Sequence, residues 1–360
     1  MGNKPLPAED LAHILTHARA AFDSLQDARL FITGGTGFFG HCLLESLLHA
    51  NQHHVANISA TVLTRNAAAF REKSPHIAGS PYITLLEGDI KTFAFPTEPH
   101  SHIIHAATDT VAPQGRPHEL AESIVDGTRR VLQFAQATGA RRLLYTSSGA
   151  IYGRGIANVA RIPETYPGTP DPLLLSSSYD EAKRMAEHLC IAYAHETPLE
   201  CTIARCFAFV GPHLPLDAHF AIGNFIRDAI AGRPIHIKGD GTPLRSFLYM
   251  SDLAIWLWTM LATAPANRAY NVGSDESVSI AELACLVRKI VILTLSESKG
   301  KDLLFTGDGI QIDGTPTLGA PPATYVPDIT RAQTELGLKV TVPLAEAIRR
   351  TAAWHSLLSW

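Results

Sequence analysis

The stretch Leu30-Phe31-Ile32-Thr33-Gly34-Gly35-Thr36-Gly37-Phe38-Phe39-Gly40 decides how this chain folds. Its apolar start predicts a strand, its glycines predict a tight turn, and residues 41–48 continue with a helical pattern. Glycine lets the backbone approach a ligand closely, and the free N–H groups of a helix N-terminus favour a pyrophosphate. The order strand, turn, helix therefore predicts a dinucleotide-binding unit. The alternative is an ordinary tight turn.

Strand and helix patterns alternate along the first 206 residues. The predicted strands are 29–33, 60–64, 82–86, 101–106, 141–147 and 200–206, and the predicted helices between them are 38–50, 118–138 and 178–196. Strands separated by helix-length segments pair in parallel. We therefore predict an α/β fold, a Rossmann-type doubly wound parallel sheet, with ligands beyond the carboxyl ends of its strands.

The domain organisation follows from where these patterns change. Residues 8–25 predict one amphipathic helix, which makes 1–27 an N-terminal helical extension. Residues 28–210 are expected to form the dinucleotide-binding domain, with segments near 240–262 returning to it. We assign 211–239 and 263–350 to a smaller C-terminal substrate-binding lobe. It holds predicted helices at 219–231 and 280–290 and a predicted loop over 298–327.

Bulk composition excludes several classes of protein. The 360 residues are 46% hydrophobic and 18% charged, which is typical of a globular protein and not of a disordered one. The net charge is −4 and no Lys/Arg block occurs, which argues against nucleic acid as a partner. No membrane segment or secretory signal is found, so we expect a cytoplasmic protein. The five cysteines and 17 histidines show no metal-ligand spacing, so we predict reduced core thiols and no metal site.

Tyr179 and Lys183 are the first candidate catalytic residues. Their spacing of four places both side chains on one face of a helix. A phenol has a pKa near ~10 and must lose about 3 units to act as a base near neutrality. A neighbouring ammonium group and a cationic nicotinamide ring both favour the phenolate. The alternative is a pair of surface residues.

Ser148 is the third candidate. It stands at the carboxyl end of the predicted strand 141–147, where the nicotinamide is expected. There its hydroxyl can hydrogen-bond the reacting oxygen and share a proton network with Tyr179. The alternative is a serine that satisfies the turn.

Several further motifs show that the chain resembles one known family. They lie at residues 33–40, 88–90, 105–107, 127–128, 147–153, 179–183, 211–212, 239–247, 271–274 and 328–332. With them the chain resembles an extended short-chain dehydrogenase/reductase of the NAD-dependent epimerase/dehydratase family, whose members modify nucleotide sugars. The N-terminal helix and a predicted loop at 291–322 fall outside the resemblance.

The resemblance implies a role for each matching residue. Tyr179 would be the acid/base, Lys183 would hold the nicotinamide ribose, and Ser148 would bind the sugar oxygen. Arg245 would contact the substrate diphosphate, unless it is a solvent-facing strand charge, and Asn224 is also expected to touch substrate. The residues expected to contact the cofactor besides Lys183 are Gly34, Gly37, Phe38, Phe39, Gly40, Asp89 and Ile90 beside the adenine, and Ala106 and Ala107.

Three departures from the family pattern refine these expectations. The second strand is followed by Arg65 instead of the usual Asp, and an arginine there can pair with a 2′-phosphate. NADP is therefore favoured over NAD, with a solvated arginine and bound NAD as the alternative. The Asp-Glu pair of sugar 4,6-dehydratases is replaced by Gly149-Ala150, which disfavours dehydration, and uronate decarboxylation as well. Usual asparagines are replaced by Ile124 and Ala208.

We therefore expect an oxidoreductase acting at C4 of a nucleotide-linked sugar, with a 4-ketoreductase as the leading interpretation. A 4-epimerase with tightly held NAD uses the same residues and stays open. A dinucleotide-binding scaffold without turnover is the alternative from another class. The resemblance also implies a homodimer, formed through helices near 118–138 and 178–196.

Overall fold

The computed structural model describes residues 3–54, 56–109, 115–218, 220–299 and 309–356. The strands are Arg29–Thr33 (β1), Ser59–Thr64 (β2), Ile83–Glu87 (β3), His102–His105 (β4), Arg142–Ser148 (β5), Glu200–Cys206 (β6), Phe209–Val210 (β7), Ile235–Ile237 (β8), Leu244–Arg245 (β9), Leu248–Tyr249 (β10), Arg268–Val272 (β11), Val278–Ser279 (β12), Ile310–Ile312 (β13) and Thr324–Tyr325 (β14). The helices are Ala8–His17 (α1), Arg19–Ser24 (α2), Phe38–His54 (α3), Ala67–Lys73 (α4), Pro75–Ala78 (α5), Pro117–Thr138 (α6), Ser178–Glu196 (α7), Ala221–Ile230 (α8), Met250–Thr263 (α9), Ile280–Lys299 (α10), Thr330–Leu336 (α11) and Leu344–Ser356 (α12).

Seven parallel strands form the central sheet, in the order β3-β2-β1-β4-β5-β6-β11. The strand order reverses direction between β1 and β4, which is where a doubly wound sheet opens a crevice for ligands. The predicted Rossmann-type sheet is confirmed. The edge strand β11 was not expected, because residues 268–272 lie in the range that the sequence analysis assigned to the substrate lobe.

Two layers of helices cover the sheet, and β1 shows why both faces need them. Leu30 and Ile32 face a core that includes α1, α2, α3 and α9, whereas Phe31 faces a second core with α6 and α7. Alternate strand residues point to opposite faces, so a strand covered on both sides reads as one apolar run. No helix in the described part of the chain is long and apolar enough to cross a membrane.

A third core lies beside the sheet and builds the smaller lobe. It contains Phe225 and Ile226 of α8, Val287 and Val291 of α10, and Ile348 of α12. These helices come from the two stretches that were predicted to form the substrate lobe. The exact domain boundaries stay a prediction.

Two predicted elements were wrong in detail. The helix expected over 8–25 is interrupted at Ala18, so that α1 and α2 are separate. The loop expected from 291 onwards is not found, because α10 continues to Lys299 with Val291 and Leu295 buried. The predicted loop 298–327 also contains β13 and β14, which pair with β8 and β9, and its residues 300–308 lie outside the described residues.

The cysteines are free, as predicted, but they are not all in the core. Four are buried and Cys285 is exposed on α10.

Candidate active site

A cavity of about 1130 Å³ opens along the carboxyl edge of the sheet, between the sheet and the smaller lobe. The glycine turn lines one end of it. The other end is lined by side chains of β5, α7, α8, β9 and β14. The cavity therefore lies where a doubly wound sheet binds its ligands, and it is long enough to join the two predicted halves of the site.

The glycine turn is shaped by close backbone contacts. Gly34 has φ +74°, and a Cβ there would lie 2.5 Å from the backbone of Ala106. A Cβ at Gly40 would lie 2.2 Å from the backbone of Gly35, so Gly40 lets α3 pack against the turn. Gly34 and Gly37 line the cavity with the first residues of α3, whereas Gly40 lies against the backbone of Gly35, and its cofactor contact stays a prediction.

The glycine turn and the start of α3 fit a dinucleotide. Phe38 and Phe39 begin α3 at the cavity wall, so the helix N-terminus, with its unpaired N–H groups, faces the cavity. Ala106 and Ala107 line the same wall, and their N–H groups are turned away from it to donate to the Thr33 hydroxyl, at 3.1 and 3.0 Å. The N–H groups left for a pyrophosphate are therefore those of the turn and of α3.

Arg65, Asp89 and Ile90 line the end of the cavity where an adenosine is expected. Arg65 is exposed, and its Nη2 lies 3.6 Å from Oδ1 of Asp109. Ile90 packs against Gly127, because a Cβ at position 127 would lie 2.9 Å from the Ile90 side chain. The guanidinium of Arg65 is thus available to a ligand once it leaves Asp109.

Tyr179, Lys183 and Ser148 all line this cavity, so the structure brings the three predicted catalytic side chains together. Lys183 is buried, and its Nζ donates to the carbonyl of Thr146 at 2.8 Å. That nitrogen lies 5.8 Å from the centre of the Tyr179 ring. Burial lowers the pKa of Lys183 to about 8, so the side chain is mostly an ammonium ion at neutral pH.

The Tyr179 phenol differs from the expectation. Burial raises its pKa above the ordinary value, and the hydrogen bond with Ser148 offsets that rise only in part. The lowered pKa that was expected from the neighbouring ammonium is therefore not found in the protein alone. The phenol is therefore neutral at pH 7 in the protein alone.

His105, the last residue of β4, is buried next to β1 and α6. Its Nδ1 is 2.8 Å from the hydroxyl of Thr33 and its Nε2 is 3.0 Å from that of Thr128. Burial, with the Lys183 charge, lowers the pKa of His105 to about 3, so the imidazole is neutral. It ties β1, β4 and α6 together at the point where the strand order reverses.

Arg245 lies at the sugar end of the cavity, on β9. It is half-buried; its Nη1 donates to the carbonyl of Leu244 at 2.8 Å, and its Cζ lies 5.6 Å from the centre of the Tyr325 ring. Burial lowers the pKa of Arg245. A half-buried guanidinium whose partners here are neutral suits an anionic ligand.

Asn224 is not brought into the site. Its Oδ1 accepts a hydrogen bond from Arg227 at 3.1 Å, one turn along α8. The α8 region lines the cavity through Phe220, Ala221 and Ile222 instead. The substrate contact of Asn224 stays a prediction.

Phe207 and Tyr325 line the sugar end and were missed by the sequence analysis. Their ring centres are 4.7 Å apart. A Cβ at Gly149 would lie 2.8 Å from Cζ of Phe207. Tyr325 stands in a Pro- and Gly-rich segment without a motif, so the sequence carried no signal for it.

The parallel sheet with its glycine turn, and the serine, tyrosine and lysine at its carboxyl edge, define an enzyme of the extended short-chain dehydrogenase/reductase class. A family model for the NAD dependent epimerase/dehydratase family matches residues 30–273. The chain belongs to this family, as its motifs indicated.

Individual relatives agree with this assignment. UDP-glucuronic acid decarboxylase 5 of Arabidopsis thaliana is 29% identical over 329 residues, which cover 89% of this chain and 87% of the relative. UDP-N-acetylglucosamine 4-epimerase of Methanobrevibacter ruminantium M1 has a TM-score of 0.75 at 18% identity, covering 92% of this chain and 99% of that one. The dTDP-glucose 4,6-dehydratase DesIV of Streptomyces venezuelae, solved with NAD bound, has a TM-score of 0.73 at 23% identity, covering 91% and 96%. The two structural likenesses show the fold.

Proposed function

We propose that the protein transfers a hydride at C4 of a nucleotide-linked sugar and acts as a 4-ketoreductase. The observation that carries this proposal is the half-buried phenol of Tyr179, protonated at neutral pH, beside Ser148 and Lys183 in the cavity. Reduction of a ketone needs a proton donor at the oxygen that gains charge, and a neutral phenol supplies one.

Different residues would bind the cofactor, transfer the proton and bind the substrate. When bound, NAD(P) supplies the hydride chemistry. The glycine turn and the N-terminus of α3 would hold its pyrophosphate, and Lys183 would hold the nicotinamide ribose. Tyr179 gives its proton to the carbonyl oxygen of the sugar, and Ser148 holds that oxygen in place. Arg245 would bind the diphosphate of the substrate.

Elimination and acid-assisted decarboxylation are less compatible with the site. Gly149 and Ala150 carry no ionisable group, and the ring of Phe207 fills the space beside position 149. The curated relatives are UDP-glucuronic acid decarboxylases, and their names support a nucleotide-linked sugar as the substrate. Our proposal keeps that substrate class and assigns a different reaction, reduction at C4 in place of decarboxylation.

A 4-epimerase is the second candidate. The family description names epimerases, and the same three side chains can remove and return the C4 hydroxyl proton. Net consumption of cofactor distinguishes the two, because an epimerase returns the hydride that it takes.

The test is turnover with purified protein. We expect stoichiometric oxidation of NADPH or NADH with a 4-keto nucleotide sugar. Interconversion of two sugars without net consumption would show an epimerase, and release of CO₂ from UDP-glucuronic acid would show a decarboxylase. Tyr179→Phe should lower the rate about 100-fold or more. Tyr193→Phe, on the same helix but packed against the core and outside the cavity, is the matched control. Full activity of Tyr179→Phe would show that Tyr179 is not the proton donor, and a wild-type protein without turnover on any nucleotide sugar would leave the scaffold role.

We also propose that the protein forms a homodimer through α6 and α7. These helices pack against each other, and α7 exposes the apolar side chains of Met185 and Ile191. A second copy of the same helix pair would cover them. Sedimentation should show a dimer, and Met185→Glu should shift it toward the monomer.

A further inference from the structure

His41 is a buried histidine in the first turns of α3, and the proposed function gives it no role. Its ring stacks on the ring of His213, with the centres 4.3 Å apart, and meets the Phe70 ring edge-on at 5.7 Å. Its Nδ1 lies 2.9 Å from the carbonyl oxygen of Gly37, and its Nε2 lies 3.0 Å from the hydroxyl of Ser74. Both ring nitrogens therefore have polar partners inside the fold.

These partners fix which nitrogen of His41 carries the proton. A carbonyl oxygen only accepts, so Nδ1 must donate to Gly37. Burial, with the neighbouring His213, lowers the pKa of His41 to about 4, so the ring is neutral at pH 7 and Nε2 keeps a lone pair. The groups that face this lone pair can donate to it: the Ser74 hydroxyl at 3.0 Å and the Asn3 amide nitrogen at 2.9 Å. The Nδ1 proton is thus committed to the Gly37 carbonyl.

The carbonyl that accepts this proton belongs to the glycine turn. Gly37 has no side chain to hold it in place, and glycine has the most freely rotating backbone of all residues. Beyond its chain neighbours, a Cβ at Gly37 would meet only the Gly34 carbonyl, at 3.4 Å. Two N–H groups of His41, the backbone one at 3.0 Å and the ring one at 2.9 Å, hold the Gly37 oxygen along α3. Hydrogen bonds from His41 therefore set the direction of this peptide group.

The direction of the Gly37 carbonyl decides where the next N–H group points. The peptide bond between Gly37 and Phe38 is trans, so its C=O and N–H point in opposite directions. Because the carbonyl is turned along α3, the Phe38 N–H points out of the end of the helix, where Gly37 and Phe38 line the cavity. An N–H group at this position has no partner within its helix and can donate to a phosphate oxygen.

We propose that His41 is a positioning residue of the cofactor site, whose ring N–H holds the Gly37 carbonyl and so aims the Phe38 N–H at the pyrophosphate of a bound dinucleotide. The His41 ring does not line the cavity, so it acts through the turn. The inference rests on the proposed function, since it concerns how the protein holds NAD(P). It is measured by cofactor binding without any sugar.

The test compares two amide side chains at position 41. Asparagine carries its N–H₂ group as many bonds from the backbone as Nδ1 of histidine, whereas the N–H₂ group of glutamine corresponds to Nε2. We expect His41→Ala and His41→Gln each to weaken the binding of NADH and NADPH about tenfold in calorimetry, the effect of one lost hydrogen bond. His41→Asn should recover most of the affinity. In turnover, the KM for the cofactor should rise while kcat changes less than about twofold.

His53→Ala is the matched control. The exposed His53 ring makes the same contact at the far end of α3, where its Nδ1 donates to the carbonyl of His49, four residues earlier, at 3.0 Å. Neither residue lines the cavity. His53→Ala should therefore leave cofactor binding unchanged. If it weakened binding as much as His41→Ala, the effect would come from the stability of the helix, and the proposal would fail.

Two further binding outcomes would overturn the proposal. Unchanged affinity in His41→Ala would mean that the turn holds its shape without the ring. Equal affinities of His41→Asn and His41→Gln would mean that the position of the N–H group does not matter.

A measurement on the wild-type protein needs no variant to fold. With ¹⁵N-labelled histidine, NMR at pH 7 should show His41 protonated at Nδ1, and a proton on Nε2 instead would overturn the inference. A wild-type protein that binds the dinucleotide but turns over no nucleotide sugar would refute the proposed function, while both measurements still test His41. A wild-type protein that binds neither NADH nor NADPH would overturn both.

Discussion

The ring of Phe207 covers Gly149, so that a Cβ at position 149 would lie 2.8 Å from the ring's Cζ. The ring has little room to withdraw, because the Tyr325 ring packs 4.7 Å from it. This contact closes the position where a 4,6-dehydratase carries an acidic side chain. The absence of that acid is therefore built into the packing of the site as well as into the sequence.

Gly149→Ala should destabilise the protein by about 1–3 kcal/mol, because the added methyl group overpacks a buried contact. Urea unfolding measures the loss, and a second change, Phe207→Leu, should recover part of it. The control is Gly239→Ala, where a Cβ meets nothing within 4 Å. Equal stabilities of Gly149→Ala and Gly239→Ala would show that the Phe207 ring moves aside freely.

The site also shows what a sequence can and cannot predict. Tyr179, Lys183 and Ser148 were predictable, because helical spacing and a strand end place them within one local unit each. Phe207 and Tyr325 were not, because their roles come from side chains packed across 118 positions of chain. A motif also does not distinguish a glycine that touches a ligand from one that, like Gly40, lets a neighbouring backbone approach closely.

Arg65→Ala tests the proposed preference for NADP. Arg65 is exposed at the adenosine end of the cavity and pairs only loosely with Asp109, at 3.6 Å. If it binds a 2′-phosphate, its loss should raise the KM for NADPH about tenfold and leave that for NADH unchanged. Arg71→Ala, on α4 outside the cavity, serves as the control. Equal effects on the KM values of both cofactors would argue that Arg65 does not bind the 2′-phosphate.

Arg245→Ala tests the diphosphate contact. A guanidinium binds a diphosphate with two parallel hydrogen bonds, so its loss should weaken binding of the nucleotide sugar at least about tenfold. Arg245→Lys keeps the charge and should recover only part of the affinity. Calorimetry with UDP and with dTDP measures both, and the exposed Arg233→Ala is the control. Unchanged affinity in Arg245→Ala would assign the diphosphate to another residue.

Buried histidines should make the protein sensitive to acid. Burial lowers the pKa of His41 and of His102 to about 4, and that of His105 to about 3. In the unfolded chain each titrates near ~6.5, so above that pH they do not affect stability. As the pH falls from 6.5 toward 4, the unfolded chain binds more protons than the folded one. These three histidines alone should then lower the free energy of unfolding by up to about 4 kcal/mol per pH unit, at about 1.4 for each.

Urea unfolding at pH 7.5, 6.0 and 5.0 measures this slope. His102→Asn removes one of these groups and should reduce the slope by up to about 1.4 kcal/mol per pH unit. A variant at the exposed His236 should leave it unchanged. A slope that is the same with and without His102 would contradict the assignment.

The N-terminal extension shows the limit of the sequence in a second way. Amphipathic spacing predicts helix in this region but says nothing about its partner. In the structure α1 and α2 pack against α9, which follows them by more than 200 positions, so their burial depends on the completed fold. The polar contacts that fasten them are not visible in any local pattern.

Asp10 on α1 is a polar residue that binds this extension to the rest of the fold. It is buried, and it accepts hydrogen bonds from the Tyr249 hydroxyl and from Arg350, each at 2.7 Å. Asp10→Ala leaves a buried hydroxyl and a guanidinium without this acceptor, so unfolding should become easier by about 3 kcal/mol. Asp10→Asn keeps one acceptor oxygen and should cost less, and Glu9→Ala, at the exposed neighbouring position, should cost within about 0.5 kcal/mol. If Asp10→Ala were no more destabilising than Glu9→Ala in urea unfolding, the helix would be held by its apolar face alone.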